Sequence, residues 1–204
     1  MSISEKVVNR LTLYHLILDD LRESEQNISS TRIAKLLNID NSQVRKDLQY
    51  VDYPGKCHVG YNAKELKKAI EEKLGFKKIR NAFIVGAGNL GSALVKYDNF
   101  KDYGLNIVAM FDNDTKKIGA IINGKEVFDI KKVGNIAQKY NVDMAILTVP
   151  REYAKGVANY LAGSGIKYIW NFTPCILDVP EDIKVWNENL IGSFLQFTNK
   201  DETM

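Results

Sequence analysis

Several classes of protein are excluded by what this sequence lacks. Its 204 residues include only two cysteines, Cys57 and Cys175, which lie too far apart to match any metal-ligand spacing. No apolar run reaches the ~18 residues that cross a membrane, and residues 1–6 lack the apolar core of a signal peptide. We therefore expect a cytoplasmic protein with reduced thiols, without a metal site and without membrane association.

Positive charge is concentrated in the N-terminal part of the chain. The net charge is +3, and residues 1–80 carry 15 Lys and Arg against 11 Asp and Glu. Residues 81–204 carry 13 against 14. The excess suits a polyanion such as nucleic acid as the partner of the N-terminal part. A solvated basic face without a partner would give the same numbers.

A glycine-rich turn organises the C-terminal half. The apolar run 82–85 leads into Gly86-Ala87-Gly88-Asn89-Leu90-Gly91, and a helix-like segment follows. Strand, G-x-G-x-x-G turn and helix in this order are typical of a dinucleotide-binding unit. Gly86 would make the turn, Gly88 would admit a pyrophosphate, and Gly91 would let helix and strand pack closely. The alternative is a glycine-rich turn that binds nothing.

An acidic residue indicates which dinucleotide is bound. Asp112 closes the next apolar run, residues 105–111, about 20 positions after the glycine turn, where such folds place a ribose-binding carboxylate. A carboxylate there accepts hydrogen bonds from ribose hydroxyls and repels a 2′-phosphate. The sequence therefore predicts NAD(H) in preference to NADP(H).

Strands and helices alternate after residue 79. Strands are predicted at 81–85, 105–111, 143–148 and 167–171, helices at 90–97, 130–140 and 151–163, and a hairpin turn at Asn123-Gly124. This alternation predicts an α/β Rossmann-like domain, a parallel sheet with helices on both faces. Ligands bind beyond the carboxyl ends of such strands. The predicted nicotinamide side of the pocket is therefore Thr148, Val149, Pro150, Asn171, Phe172 and Pro174.

The predicted dinucleotide domain lacks a recognisable catalytic group. A dehydrogenase needs a group that moves the proton accompanying hydride transfer, but both histidines, His15 and His58, lie in the N-terminal part. Tyr97 and Lys101 have the spacing of the catalytic pair of short-chain dehydrogenases, but they come too early in the domain. No nucleophile elbow or Walker sequence occurs. We expect a domain that binds a dinucleotide and is not an enzyme.

The N-terminal part contains a helix-turn-helix pattern. Ser29 or Ser30 can cap a short helix, and Asn38 tolerates the left-handed conformation that ends it. Asp40 or Asn41 can cap a second helix. That helix turns outward residues of the types that read base edges or hold phosphates in the major groove, namely Ser42, Gln43, Arg45 and Lys46. An ordinary pair of helices with a polar outer face is the alternative.

A wing follows the predicted helix-turn-helix. Residues 53–61 are a short β-prone piece with turn residues around it. Lys56 and His58 near its tip, and Tyr61 at its end, are predicted to contact DNA through the backbone or the minor groove. The sequence thus predicts a winged-helix DNA-binding domain that precedes the Rossmann-like domain.

The end of the chain carries an apolar stripe with helical spacing, formed by Leu190, Ile191, Phe194, Leu195 and Phe197. This helix either docks on its own domain or serves as an arm for a partner subunit. The predicted organisation is a winged-helix domain, a dinucleotide-binding domain and a terminal helix, over residues 1–78, 79–186 and 187–204.

These motifs together resemble the Rex family of redox-sensing transcriptional repressors, across residues 4–197. The motifs that carry the resemblance are Arg45-Lys46-Asp47-Leu48, Val59-Gly60-Tyr61, the glycine turn, Phe111-Asp112, Thr148-Val149-Pro150 and Asn171-Phe172-Thr173-Pro174. The chain departs from the usual family pattern at three places, which are Val51-Asp52-Tyr53-Pro54-Gly55, Cys57-His58 and Asn189.

The resemblance implies a homodimer in which the C-terminal dimerisation helix is exchanged between subunits. It implies that the dimer represses operators in double-stranded DNA when NADH is low and leaves them when NADH binds. Two alternatives remain. One is an NAD-dependent oxidoreductase with a small helical domain, and the other is an NADH sensor whose DNA binding is altered or lost, which the Cys57-His58 wing motivates.

Overall fold

The computed structural model describes residues 3–22, 24–56 and 59–199. Cys57 and His58, the second of which is a predicted DNA contact, lie outside the described residues. The chain divides into two compact units, Met1–Lys78 and Ile79–Met204. Among the described helices, none is long and apolar enough to cross a membrane.

The first unit consists of helices around one apolar core, with a short antiparallel sheet. The helices are α1 (Glu5–Asp19), α2 (Ser30–Leu37), α3 (Asn41–Leu48) and α4 (Ala63–Leu74). Strand β1 (Asn27–Ile28) pairs with β2 (Tyr61–Asn62). The four helices and β1 all contribute buried side chains to the core, among them Leu11, Ile28, Ile33, Val44 and Leu66.

The caps of α2 and α3 define the turn between these helices. The Ser29 side chain accepts a hydrogen bond from the Arg32 N–H at 3.1 Å, and Asn38 ends α2 in the left-handed conformation with φ 51°. The Asp40 carboxylate accepts a hydrogen bond from the Ser42 N–H at 2.6 Å where α3 begins. These contacts confirm the predicted helix-turn-helix and decide between the alternative capping residues in favour of Ser29 and Asp40.

An ion pair between a buried carboxylate and a partly exposed arginine holds α3 against α1. Asp47 is 1% exposed, and its carboxylate accepts hydrogen bonds from Arg10 Nε at 2.6 Å and Nη2 at 2.8 Å. It also accepts hydrogen bonds from the Tyr14 hydroxyl at 2.7 Å and the Gln43 amide at 2.9 Å. Burial opposes ionisation of Asp47, but these donors outweigh burial and hold the pKa of the carboxyl below its ordinary value.

The second unit is built on a seven-stranded sheet in the order β5-β6-β4-β3-β7-β8-β9. The strands are β3 (Arg80–Val85), β4 (Leu105–Asp112), β5 (Ile121–Ile122), β6 (Lys125–Asp129), β7 (Met144–Leu147), β8 (Tyr168–Asn171) and β9 (Lys184–Asn187). The helices are α5 (Asn89–Val95), α6 (Val133–Tyr140), α7 (Arg151–Gly163) and α8 (Leu190–Asn199), with 3-10 turns at Asp98–Tyr103 and Ile130–Lys132. Strand β5 runs antiparallel to β6, and every other neighbouring pair is parallel.

Helices cover the central strands on both faces of the sheet. Along β3, Phe83 and Val85 pack with side chains of α6 and α7, whereas Ile84 packs on the opposite face with side chains of α5. Residues 82–85 are at most 2% exposed. A continuous apolar run is what a parallel strand with both faces buried requires. The predicted Rossmann-like fold is confirmed.

The edges of the sheet hold elements that the sequence predicted only in part. Asn123 (φ 48°) and Gly124 (φ 71°) make the predicted hairpin turn between β5 and β6. Strand β9 was not predicted. Val185 is its one partly buried residue, and the other three are exposed, so this edge strand contains no apolar run that could reveal it.

Helix α8 buries none of its side chains in its own chain. The residues of the predicted apolar stripe are between 49 and 70% exposed, namely Leu190, Ile191, Phe194, Leu195 and Phe197. Within the part of the chain that the structure describes, nothing covers this stripe. It is therefore a candidate surface for a partner subunit.

The ion pair of Asp47 predicts how stability depends on pH. Asp47→Asn should lower the free energy of unfolding at pH 7 by roughly 1–3 kcal/mol, because it leaves the partly exposed Arg10 charge without its counterion. A carboxyl with a lowered pKa stabilises the fold above its unfolded-state pKa of about 3.9, and this contribution is lost as the pH falls through the folded-state value. Urea unfolding of both proteins between pH 7 and pH 3 measures the difference.

The difference in stability between the two proteins should shrink as the pH falls below about 4, because the Asp47 carboxylate is then protonated first in the unfolded chain and, at lower pH, in the folded protein. A difference that stays constant down to pH 3 would show that the Asp47 charge contributes nothing to the fold.

Candidate dinucleotide and DNA sites

A cavity of about 640 Å³ opens beyond the carboxyl ends of β3, β4, β7 and β8. Strand β4 lies on one side of β3 and β7 on the other. The cavity is thus at the point where the strand order reverses, which is where open α/β sheets bind nucleotides. Its lining includes the predicted cofactor residues Gly86, Gly88, Asn89, Leu90, Asp112, Thr148, Val149, Pro150, Phe172 and Pro174.

The three glycines of the turn differ in what a side chain at each position would meet. Gly86 has φ +107°, and a Cβ there would lie 2.9 Å from the Thr148 carbonyl carbon. A Cβ at Gly91 would overlap the Gly86 carbonyl oxygen. A Cβ at Gly88 would meet no atom within 4 Å, so at this position the backbone borders open space that a ligand can occupy.

A threonine from the neighbouring strand holds the turn in place. The Thr148 hydroxyl lies 2.9 Å from the Gly86 carbonyl oxygen and 3.1 Å from the Val85 oxygen, and it donates its hydrogen to them. The Thr148 N–H donates to the Val85 oxygen at 2.8 Å. Thr148 therefore lines the cavity and also ties the end of β7 to the glycine turn.

Asp112 links the end of β4 to the same turn. It is 9% exposed, and its carboxylate accepts hydrogen bonds from the Ala87 N–H at 2.8 Å and the Asp114 N–H at 2.9 Å. The Lys117 ammonium lies 3.1 Å from Asp112 Oδ2. Burial opposes ionisation, but the two N–H groups and Lys117 outweigh it and hold the pKa of Asp112 below its ordinary value. Asp112 is thus a carboxylate at the cavity wall.

Three predicted cofactor residues are absent from the cavity lining. Ala87 contributes its backbone N–H to Asp112, and Gly91 packs under the turn. Asn171 is 0% exposed, and its amide is bonded to the Thr173 N–H and to the Cys175 carbonyl oxygen. These residues shape the wall of the cavity from behind.

The cavity lining includes residues that the sequence analysis did not predict. Lys117 follows β4, and Tyr153 and Val157 lie in the first two turns of α7. The last two are four positions apart on a helix that starts beside Pro150, and this spacing alone places them on one face. The spacing could therefore have identified Tyr153 and Val157 as cavity residues from the sequence. Lys117 lies in an irregular segment, and its spacing carries no comparable signal.

The candidate DNA-binding residues of α3 differ in the exposure of their side chains and in the hydrogen bonds that these side chains already make. Ser42, Arg45 and Lys46 are exposed. Arg45 Nε lies 3.4 Å from Ser30 Oγ, a weak contact. Gln43 is half-buried and donates to Asp47, so its amide is already engaged in holding α3. Of the four predicted DNA contacts on α3, three therefore have exposed side chains, and Gln43 does not.

The two described ends of the predicted wing are hydrogen-bonded to each other. The Lys56 N–H donates to the Gly60 carbonyl oxygen at 2.7 Å, and the Gly60 N–H donates to the Lys56 carbonyl oxygen at 2.9 Å. Lys56 is exposed, whereas Tyr61 is half-buried with its ring 6.4 Å from that of Tyr53. The predicted contact at His58 lies outside the described residues.

Comparison with known proteins identifies the family. Residues 77–175 match the family model described as "CoA binding domain", and residues 2–49 match "Putative DNA-binding protein N-terminus". The Redox-sensing transcriptional repressor Rex of Clostridium botulinum is 40% identical over 98% of this chain and 98% of its own length. That of Bacteroides thetaiotaomicron is 38% identical over 97% of this chain and 90% of its own. The chain belongs to the Rex family.

Solved structures of a Rex-family repressor match almost the whole chain. RSP in complex with β-NAD⁺ and operator DNA has a TM-score of 0.88 at 34% identity, covering 99% of this chain and 95% of that one. RSP in complex with β-NADH has a TM-score of 0.87 at 34% identity, covering 99% and 97%. The resemblance to Rex that the motifs indicated is confirmed.

The packing of the glycine turn in this Rex-family chain yields a test of stability. Gly91→Ala should lower the free energy of unfolding by about 1–3 kcal/mol, because α5 must move away from the Gly86 carbonyl. Without such a contact, Gly→Ala within a helix stabilises by ~1 kcal/mol, so the sign of the change isolates the overlap.

Gly88→Ala is the matched control and should change stability by less than about 0.5 kcal/mol, since its Cβ enters open space. Urea unfolding measures both variants. A Gly91→Ala protein as stable as wild type would contradict the close approach.

Proposed function

We propose that this chain is a redox-sensing transcriptional repressor that binds operator DNA as a homodimer and leaves it when NADH binds. The observation that carries the proposal is the full-length similarity to RSP, whose structures hold NADH in one case and NAD⁺ with operator DNA in another. The two sites described above provide a place for each ligand. Relatives named as transcriptional repressors support a regulator in the cytoplasm and not an enzyme.

The lining of the cavity supports one orientation of the dinucleotide. The N-terminus of α5, with Gly88, Asn89 and Leu90, would hold the pyrophosphate, because its free N–H groups point toward a bound anion. Asp112 would accept hydrogen bonds from the adenosine ribose. The nicotinamide would then lie at the opposite side, where β7 and β8 end.

The wall at the nicotinamide side favours the reduced cofactor. Val149, Pro150, Phe172 and Pro174 line this part of the cavity and offer it no charge. NAD⁺ brings a cationic ring and NADH a neutral one. Because removal of a cation from water into apolar surroundings is costly, these side chains favour NADH over NAD⁺.

Helix α8 provides the surface for the second subunit. Its exposed apolar stripe is buried if the helix packs on a partner, and in a symmetric dimer both helices do so. A dimer presents two copies of α3, which fit one operator only when they are separated by about one DNA turn, roughly 34–36 Å. A change in how the subunits pack therefore weakens DNA binding without altering any base contact.

The energy needed for such a switch is within reach of two cofactors. A shift of a two-state equilibrium from 1:99 to 99:1 requires about 5.5 kcal/mol of differential binding. Two NADH molecules per dimer would share this amount. Each would need to prefer the released form by about half of it, a ratio of roughly 100-fold in affinity.

DNA titration with and without NADH tests the proposal. A palindromic operator from the promoter of the chain's own gene should bind the dimer in the absence of NADH and be released at saturating NADH. Gly88→Val should still bind the operator but no longer respond, because its side chain occupies the space that the pyrophosphate needs. The measurement is fluorescence anisotropy of labelled operator, with NADH binding followed separately by calorimetry.

Gly156→Val is the control for the substitution itself, since Gly156 is exposed on α7 and a Cβ there meets no atom within 4 Å. This variant should respond to NADH as wild type does. An operator affinity of the wild-type protein that is the same with and without saturating NADH would sink the proposal, and NADH binding by Gly88→Val would refute the assignment of the pocket.

Arg45 tests the DNA surface. Arg45→Ala should cost roughly 1–3 kcal/mol of operator binding if Arg45 reads a base, and sequence discrimination should relax at one position. If it holds a phosphate, all sequences should weaken alike and the salt dependence should become less steep. Lys139→Ala, which removes one positive charge from α6 in the other unit, should leave operator binding unchanged. Wild-type affinity in Arg45→Ala would show that Arg45 does not contact the operator.

A further inference from the structure

The last two residues of β8 contact both the cavity wall and the segment that leads into α8. Trp170 and Asn171 are followed by Phe172, which lines the cavity. The neighbouring strand β9 ends at Asn187, and α8 begins three residues later at Leu190. The end of β8 is therefore a place where occupancy of the cavity can be sensed by α8.

The Asn171 side chain joins the cavity loop to the end of β9. Its Oδ1 accepts hydrogen bonds from the Thr173 N–H at 3.0 Å and the Thr173 hydroxyl at 2.7 Å. Its Nδ2 donates to the Cys175 carbonyl oxygen and to Asn187 Oδ1, both at 2.8 Å. The Glu188 N–H donates to the Asn171 carbonyl oxygen at 2.8 Å. Loop and strand are thus held as one rigid piece.

Trp170 adds a second connection, which starts at the wall itself. Its ring centroid lies 4.9 Å from that of Phe172. On the same face of the sheet, the ring centroid of Phe100 lies 5.9 Å from that of Trp170, and this packing restricts movement of the indole ring. The indole N–H donates to Glu188 Oε2 at 3.2 Å. A displacement of Phe172 must move a ring that is hydrogen-bonded to the root of α8.

The start of α8 directly follows Glu188 and is therefore positioned to respond to a movement of that residue. Asn189 Oδ1 accepts a hydrogen bond from the Gly192 N–H at 2.8 Å and caps the helix directly after Glu188. Among the described residues, the helix buries no side chain against its own chain, so in the isolated subunit its attachment at Glu188 and Asn189 holds it. A small movement at a packed contact can then select between two positions of the helix.

We propose that the Trp170–Glu188 hydrogen bond transmits occupancy of the dinucleotide cavity to α8, which makes Trp170 and Glu188 positioning residues for the allosteric response. This inference rests on the proposed function. It predicts that the pair determines how strongly NADH weakens operator binding, while neither residue is needed to bind NADH or the operator alone.

The experiment compares Trp170→Phe and Glu188→Ala with two controls. Glu188→Gln keeps an oxygen that can accept the indole hydrogen bond. Trp186→Phe changes the other tryptophan of the chain, which pairs with Trp170 in register on β9 and is 48% exposed. For each full-length dimer, calorimetry measures the affinity for NADH, and anisotropy measures operator affinity with and without saturating NADH. Thermal midpoints confirm folding.

The deciding quantity is the operator dissociation constant at saturating NADH divided by the operator dissociation constant without NADH. In Trp170→Phe and Glu188→Ala the ratio should fall by about fivefold or more, with NADH affinity and operator affinity without NADH each within about twofold of wild type. In Glu188→Gln and Trp186→Phe the ratio should stay at the wild-type value. Should Trp170→Phe fail to fold, the comparison of Glu188→Ala with Glu188→Gln decides alone.

Wild-type ratios in Trp170→Phe and Glu188→Ala would overturn the inference and leave the proposed function intact. Loss of NADH binding in either variant would overturn it as well, because the residue would then belong to the binding site. A wild-type protein whose ratio is one would instead refute the proposed function.

Discussion

The close approach of helix α5 to the turn after β3 is the contact on which the second unit depends. Gly91 lies so near the Gly86 carbonyl oxygen that no side chain fits between them. The same carbonyl accepts the Thr148 hydroxyl at 2.9 Å, and the Ala87 N–H is held by Asp112 at 2.8 Å. Strands β3, β4 and β7 are therefore joined at one point, and the first residues of α5, Asn89 and Leu90, line the cavity.

A cavity that binds a dinucleotide becomes a regulator only if its occupancy alters another surface. Helix α8 is suited to this role, because its apolar residues are exposed in the single chain and its root is bonded to the end of β8. The recognition helix α3 is rigid by contrast, since the buried carboxylate of Asp47 fixes it to α1. In the proposed repressor, a rigid α3 and an adjustable packing of the two subunits would separate base recognition from the response to NADH.

The fold could be predicted from the sequence wherever local patterns are strong. The glycine turn, the buried run of β3 and the caps at Ser29 and Asp40 are such patterns, whereas the edge strand β9 has no apolar run and was missed. Contacts between side chains that are distant in sequence could not be predicted. Arg10 and Asp47 are 37 positions apart, and Asn171 and Asn187 are 16 positions apart. Gln43 and Asp47, in contrast, are four positions apart on α3, and this spacing could have indicated their contact.

The central claim is that one coupling free energy links NADH and operator DNA. Linkage requires the coupling to be reciprocal, so operator DNA must weaken NADH binding by the same factor by which NADH weakens operator binding. The direct measurement is the dissociation constant of NADH for the free dimer and for the dimer saturated with operator. We predict weaker NADH binding to the operator complex by that factor. Equal NADH affinity in the two states would contradict the account.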